Sequence, residues 1–393
     1  MWADLAVGQL NIVQRKFDDA VKAYRKVIEA YPNNTQAQID AKMGLANALK
    51  EEQRYDEALA AYRDVEQSYA DAPQTYWAIM GIAQIKALGG DFEGAAASYR
   101  EAADRFPQST QSVADSKLNL ANLLRSGNRI PEALKTFEEI VKEFPGTTHA
   151  ASALQTTAQI YTETGQPDRA REVYQRVVKE FADRAEIVRQ AQFGLAGLNA
   201  EQGQFEQAVA QYNELLTSEK SAAARTQALQ AIAQTHLAKG DNDAALETFD
   251  RMLDEAGGDK NLALPAKMGK GTVFLAGGKY QQARDLFLEV AAEAGPDPMA
   301  SGALQSLAQT QLELGHLDEV EKTVEKNPGV VPQRSERGDQ RPDGRGQPAA
   351  DRPEIRGRYR AARSGHRAVR RPAADGVGAA YQSRYSAATP PPR

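Results

Sequence analysis

The 393-residue chain has no cysteine, which excludes a disulfide framework, a thiol nucleophile and any cysteine-ligated zinc or iron–sulfur centre. Its four histidines, His149, His236, His316 and His366, stand far apart, so they are expected at helix ends or in solvent and no metal site is expected. Nowhere does it hold the ~18 consecutive apolar residues that a membrane-spanning helix needs. Its start, Met1-Trp2-Ala3-Asp4, lacks the basic and apolar regions of a secretory signal, so neither an export device nor a transmembrane segment is expected. No set of residues points to catalysis, a cofactor or a small-molecule substrate. The segment Met268-Gly269-Lys270-Gly271-Thr272 superficially resembles a phosphate loop, but it lacks the earlier glycine and the preceding strand that such a loop requires. Acidic pairs such as Asp18-Asp19 and Glu138-Glu139 read as solvated helix faces and helix-dipole partners.

The net charge of −5 joins two opposed parts. From Pro332 onward there are 14 arginines against 6 acids, or +8, which leaves 34 basic and 47 acidic residues before it, or −13. An acidic body argues against nucleic acid as its main partner.

What the chain does have is repetition. A small residue recurs at Ala20, Ala58, Ala95, Ala133, Ala170, Ala208, Ala245 and Ala283, with Val320 in a ninth, degenerate copy, at spacings that alternate between 38 and 37. Twelve residues before each stands another small residue: Gly8, Ala46, Ala83, Ala121, Ala158, Ala196, Ala233, Gly271 and Ala308. Four residues after it comes an aromatic: Tyr24, Tyr62, Tyr99, Phe137, Tyr174, Tyr212, Phe249 and Phe287. Apolar residues at three- and four-residue spacing make each unit two short amphipathic helices. The small columns mark close helix approach, and the aromatic column fills the space between units. Mostly glycine-bearing turns, among them Gly89-Gly90-Asp91 and Gln202-Gly203-Gln204, divide first from second helices, as a left-handed helix exit favours. Between units, Pro32, Pro107 and Pro145 stop one helix while Asn34, Ser109 or Thr147 can cap the next.

This combination of two small columns, an aromatic and a closing proline resembles the tetratricopeptide repeat over about residues 1–326. The resemblance implies an all-α, right-handed solenoid of about nine helix pairs. The units are three or four residues longer than the usual one, and the extra length follows aromatic-proline pairs such as Tyr31-Pro32, Phe106-Pro107 and Phe144-Pro145. Those junctions are similar to the bacterial envelope branch of the superfamily, the type found in the Tol-Pal-associated cell-division coordinator and the outer-membrane assembly lipoprotein. They imply a periplasmic or envelope-associated location, with a cytoplasmic one as the alternative. From the sixth unit the junctions change, so a sub-block boundary is expected near residue 220. The first unit is expected to expose Trp2, Leu5, Ile12 and Val13, and the last to lose its second helix at Asn327-Pro328-Gly329.

Residues 327–393 are dominated by arginine, proline, glycine and alanine, a composition that cannot bury enough apolar surface to fold, so a disordered tail is expected. The exchange of vocabulary in mid-repeat is also what out-of-frame translation would produce. An arginine-rich arm for nucleic acid or an anionic surface is the functional alternative.

The family resemblance further implies that first helices line a concave groove, with the residues three and six before the small column, and one and four after it, pointing inward. The candidates are then Asp40, Met43, Asn47 and Lys50 in unit two, matched by Asp115, Leu118, Asn122 and Arg125 in unit four. Amides and cations there could hold a peptide backbone or a carboxylate. Trp2 with Leu5, and Trp77 with Met80, add apolar anchors 75 residues apart, and Phe193 and Met268 continue them more weakly. The expected function is a non-catalytic scaffold holding protein partners in a bacterial envelope assembly. An exopolysaccharide-export scaffold is the alternative.

Overall fold

The computed structural model describes residues 1–295 and 298–326, and the expectations for the tail and for the Asn327-Pro328-Gly329 ending lie outside the described residues. Among those residues there are eighteen α-helices and no strand. First helices are α1 (Trp2–Val13), α3 (Thr35–Glu51), α5 (Gln74–Leu88), α7 (Thr110–Ser126), α9 (Thr148–Glu163), α11 (Ala185–Glu201), α13 (Ala222–Lys239), α15 (Lys260–Ala276) and α17 (Pro298–Leu314). Second helices are α2 (Phe17–Ala30), α4 (Tyr55–Ser68), α6 (Phe92–Arg105), α8 (Ile130–Glu143), α10 (Pro167–Glu180), α12 (Phe205–Ser218), α14 (Asn242–Ala256), α16 (Tyr280–Glu293) and α18 (Leu317–Lys326). The fold is an all-α solenoid. It divides into two compact units, Met1–Asp241 and a second from Asn242. Within each unit, every helix packs on the one before it and the one after it. No helix among the described residues is long and apolar enough to cross a membrane.

The chain reverses after each first helix at one register position. Arg15, Gln53, Gly90, Asn128, Gly165, Gly203, Gly240, Gly278 and Gly315 all have positive φ, between 57° and 85°. Glycine adopts that conformation freely, whereas Arg15 and Gln53 do so against the clash of a Cβ with the neighbouring carbonyl. In the fourth unit the left-handed residue is Asn128, not the adjacent Gly127. The junction caps form as expected. Asn34, Ser109 and Thr147 accept the backbone N–H of Ala37, Ser112 and Ala150 at 2.9, 3.2 and 3.2 Å, which satisfies donors that the helix leaves open. Pro32 is exposed, in the turn between α2 and α3.

Both small columns are buried at every position, from Gly8 and Ala20 to Gly271, Ala283 and Ala308. The aromatics are buried too, from Tyr24 to Phe287. Several rings lie directly on glycines of the first helices. Tyr24 lies on Gly8 of its own unit and on Gly44 of the next, and Phe249 lies on Gly269 as Phe287 lies on Gly271. Gly44, Gly81, Gly194 and Gly269 form a third small column, two residues before the first, that receives the ring of the preceding second helix. A side chain there would occupy the ring's volume, so these glycines set how closely successive units approach. Met268-Gly269-Lys270-Gly271-Thr272 lies inside α15, with both glycines against phenylalanine rings, so the segment has a packing role and not the geometry of a phosphate loop.

Candidate functional site

The sequence placed fourteen candidates on the first helices, and their surroundings divide them. Met80 is 4% exposed, and its sulfur lies 3.7 Å from the Ser116 hydroxyl. It therefore does not present itself to a partner: α5 has apolar residues on nearly all sides, and position 80 faces α7 across the core. Met43 and Phe193 are half-buried, Met43 against the core of the first units and Phe193 with its ring 4.9 Å from that of Tyr212. Leu5 and Ile12, expected in solvent, also pack partly into the core around α2 and α3.

The polar candidates are largely engaged within the chain. Asn47 is exposed, and its Oδ1 accepts the Tyr62 hydroxyl at 2.5 Å. Burial pushes the Tyr62 phenol well above its ordinary value, because a buried phenolate would lose its hydration. Lys50 donates to Gln84 of the next first helix at 3.1 Å. Arg125 does the same to Glu163 at 3.0 Å. These cations thus tie first helix to first helix. Asp40 accepts from Gln36 at 2.8 Å, and Asp115 from Gln111 at 3.1 Å. His149 also lies 2.7 Å from Asp115 through Nε2. His149 stands in the first turn of α9, the helix-end placement expected of the histidines, and is buried there, with Asp115 and Gln111 supplying the polar contacts that water would otherwise make. Asn122 is exposed at the start of the last turns of α7. Among the described residues, no group of three or more histidine and acidic side chains is placed to hold a metal ion.

Trp77 stands out. It is 58% exposed, with its ring centroid 4.8 Å from that of Tyr76 in an edge-on pairing that leaves much of the indole uncovered. Seven and eleven residues on, along the same stripe of α5, are exposed Gln84 and Leu88, the latter 64% exposed. The stripe returns on α1 as Trp2, Gln9 and Val13, all exposed. Between these helices, α3 offers Asn47.

Sequence reasoning missed two parts of this face. Leu88 lies five residues after the small column, one beyond the four positions considered. The second omission is an amide column, Gln9, Gln84, Gln159 and Gln234, spaced by 75 residues in each case. The signal was available, since two successive units sum to that period and both tryptophans already obey it. A primary amide both donates and accepts, which is what an unpaired peptide group requires of its partner.

Two family models match the chain: a tetratricopeptide repeat-like domain over residues 60–192, and a tetratricopeptide repeat over residues 5–73, 201–260 and 231–298. No curated protein sequence matches it. Among solved structures, it is similar to a tetratricopeptide repeat protein from Parabacteroides merdae, with 14% identity, 70% of this chain and 99% of that one covered, and a TM-score of 0.48. It is also similar to PilW, a type IV pilus biogenesis factor, at 17% identity, 59% and 100% coverage and a TM-score of 0.42. MamA follows at 18% identity, 46% and 97% coverage and a TM-score of 0.36. Repeats of this kind generally mediate protein–protein interactions. With the two models spanning most of the chain from residue 5 to residue 298, and the small, aromatic and turn columns in register throughout, the chain belongs to the tetratricopeptide-repeat proteins.

Proposed function

We propose that the protein is a non-catalytic scaffold that holds an extended segment or a helix of a protein partner on the exposed stripe of its first helices. The observation that carries this reading is Trp77, 58% exposed beside Gln84 and Leu88. Covering a large aromatic or aliphatic side chain contributes about 1.5–3 kcal/mol, and buried tryptophans are frequent anchors of protein interfaces. The amides supply hydrogen bonds to a peptide backbone that apolar anchors alone cannot. The aromatic-proline junctions support a place in a bacterial envelope assembly.

A pull-down with the Trp77→Ala/Asn122→Ala double variant tests the face. Loss of a partner held by the wild type is the expected result, and retention of every partner would remove this stripe from consideration.

A further inference from the structure

Three of the even-numbered repeats pair a lysine on the first helix with acids on the second, in one register. In the second repeat Lys42 stands 2.7 Å from Asp64. In the fourth, Lys117 donates to Glu143 at 2.7 Å and lies 3.8 Å from Glu139. In the eighth, Lys267 lies 3.2 Å from Glu289 and donates to Glu293 at 3.0 Å. The three lysine side chains are at most 22% exposed, so each keeps its stem against the protein and its tip on a carboxylate.

The sixth repeat departs from this rule. Glu214 retains the acid, but the lysine position holds Gln192, and no hydrogen bond or ion pair among the described residues engages the Glu214 carboxylate. A cavity of about 420 Å³ opens there between α10, α11 and α12. Its floor is apolar, made by half-buried Val178 and Leu195 and by buried Leu215, and Gln175, Gln192 and Gln211 stand around it. Among the described residues of the lining, Glu214 alone is charged. The corresponding cavity of the fourth repeat, about 360 Å³, is lined by Arg100, Lys117 and Lys135 as well as by Glu139. Their counterparts 75 residues on are Gln175, Gln192 and Ala210, with Glu214 for Glu139. Asp104 and Glu132 of the fourth-repeat lining give way to Lys179 and Gln207, which lie outside the lining of the sixth. The sixth repeat thus keeps the acid and loses all three cations.

We propose that this cavity receives a lysine side chain of a protein partner, with its stem over Val178, Leu195 and Leu215 and its ammonium on the Glu214 carboxylate. The chain itself defines the occupant, because the same register takes a lysine in three other repeats. A butyl stem covers the apolar floor while the carboxylate meets the charge, a combination that neither a purely apolar nor an anionic group supplies. The glutamines favour a residue within a peptide over a free amine. Gln211 accepts the Asn199 side-chain amide at 2.7 Å through Oε1, which leaves its own N–H groups to donate to a backbone carbonyl, and Gln175 and Gln192 can pair with either peptide group. Position 192 lies four residues before the small column and the Trp77 register six before it. Two residues are about 200° apart around a helix, so the cavity is on the other side of the first helices from the Trp77 stripe and can fail independently of the proposed function.

The test follows the methyl NMR signals of Val178, Leu195 and Leu215 in the full chain. The probe is Nα-acetyl-lysine N-methylamide, a lysine flanked by two peptide groups. Saturable shifts of these methyls are expected, with a dissociation constant on the order of 1 mM. The norleucine analogue, which has the stem without the charge, should bind at least about fivefold more weakly, and Glu214→Gln should weaken the lysine probe by as much. Gln192→Lys restores the internal cation and should likewise exclude the probe. Both substituted positions are exposed, and circular dichroism checks that the variants keep their helices. n-Butylamine, with the same stem and ammonium but no peptide groups, should bind more weakly than the lysine probe. Absence of saturable shifts, or shifts indifferent to Glu214→Gln or Gln192→Lys, overturns the proposal. So does n-butylamine binding as tightly as the lysine probe, which would assign the cavity to free amines.

Discussion

The Tyr62 ring occupies the space a side chain on Gly81 would need: a Cβ added to Gly81 would come within 2.5 Å of the ring. The two residues belong to consecutive units, so this contact sets their spacing. Gly81→Ala should destabilise the protein by about 1–3 kcal/mol through overpacking, read by denaturant unfolding. Gly197→Ala is the control, because its added Cβ meets only the Tyr212 hydroxyl, at 3.5 Å. That substitution removes a glycine from a helix interior and should gain up to about 1 kcal/mol.

The turn column gives a second pair of outcomes. Gln53 and Gly203 hold equivalent left-handed positions, at φ 64° and 76°. Gln53→Gly relieves the Cβ clash and should raise stability by up to about 1 kcal/mol, offset in part by the freer unfolded chain. Gly203→Ala should lower it by at least a similar amount, and thermal unfolding of both variants checks the sign.

Met80 and Trp77 are three residues apart on α5 and should behave oppositely. Met80→Ala empties a buried site and should cost about 2–5 kcal/mol of stability. Trp77→Ala, at an exposed position, should change stability by no more than about 0.5 kcal/mol while weakening partner capture. Paired unfolding curves and pull-downs separate the two.

Alkaline pH should unfold the protein through its buried phenols. Burial pushes the Tyr212 phenol from 10.0 up to about 12, with Glu201 adding to the shift, and it raises Tyr24, Tyr62, Tyr76, Tyr99 and Tyr174 as well. The folded state therefore keeps protons that the unfolded state releases. The stability these groups contribute is complete below pH 10 and falls as pH rises from there toward 12. Tyrosinate absorbance should rise together with loss of helicity. Ionisation of all tyrosines at the unfolded value with helicity intact would contradict this.

Much of the fold was legible because tetratricopeptide packing writes itself into fixed columns. Ala20, Ala46 and Tyr24 are buried where their spacing put them. The third column was not read, because Gly44, Gly81, Gly194 and Gly269 are interspersed with Asn119, Thr156, Ala231 and Ser306, and only the structure shows that a ring approaches the glycines. The site was harder to read for a physical reason. Spacing gives the direction of a side chain but not what it touches, so Met80 and Trp77 looked alike although only Trp77 is exposed. Lys50 and Arg125 looked available, yet Gln84 and Glu163 on the adjacent first helices hold them.

The stripe on α5 is tested most directly by a photoreactive residue placed at position 84, compared with one at position 63 on the exposed face of α4, in full-length protein irradiated in its native cells. The account predicts a protein adduct from position 84 that Trp77→Ala suppresses, and none from position 63. Adducts from position 63 with none from position 84 would contradict it.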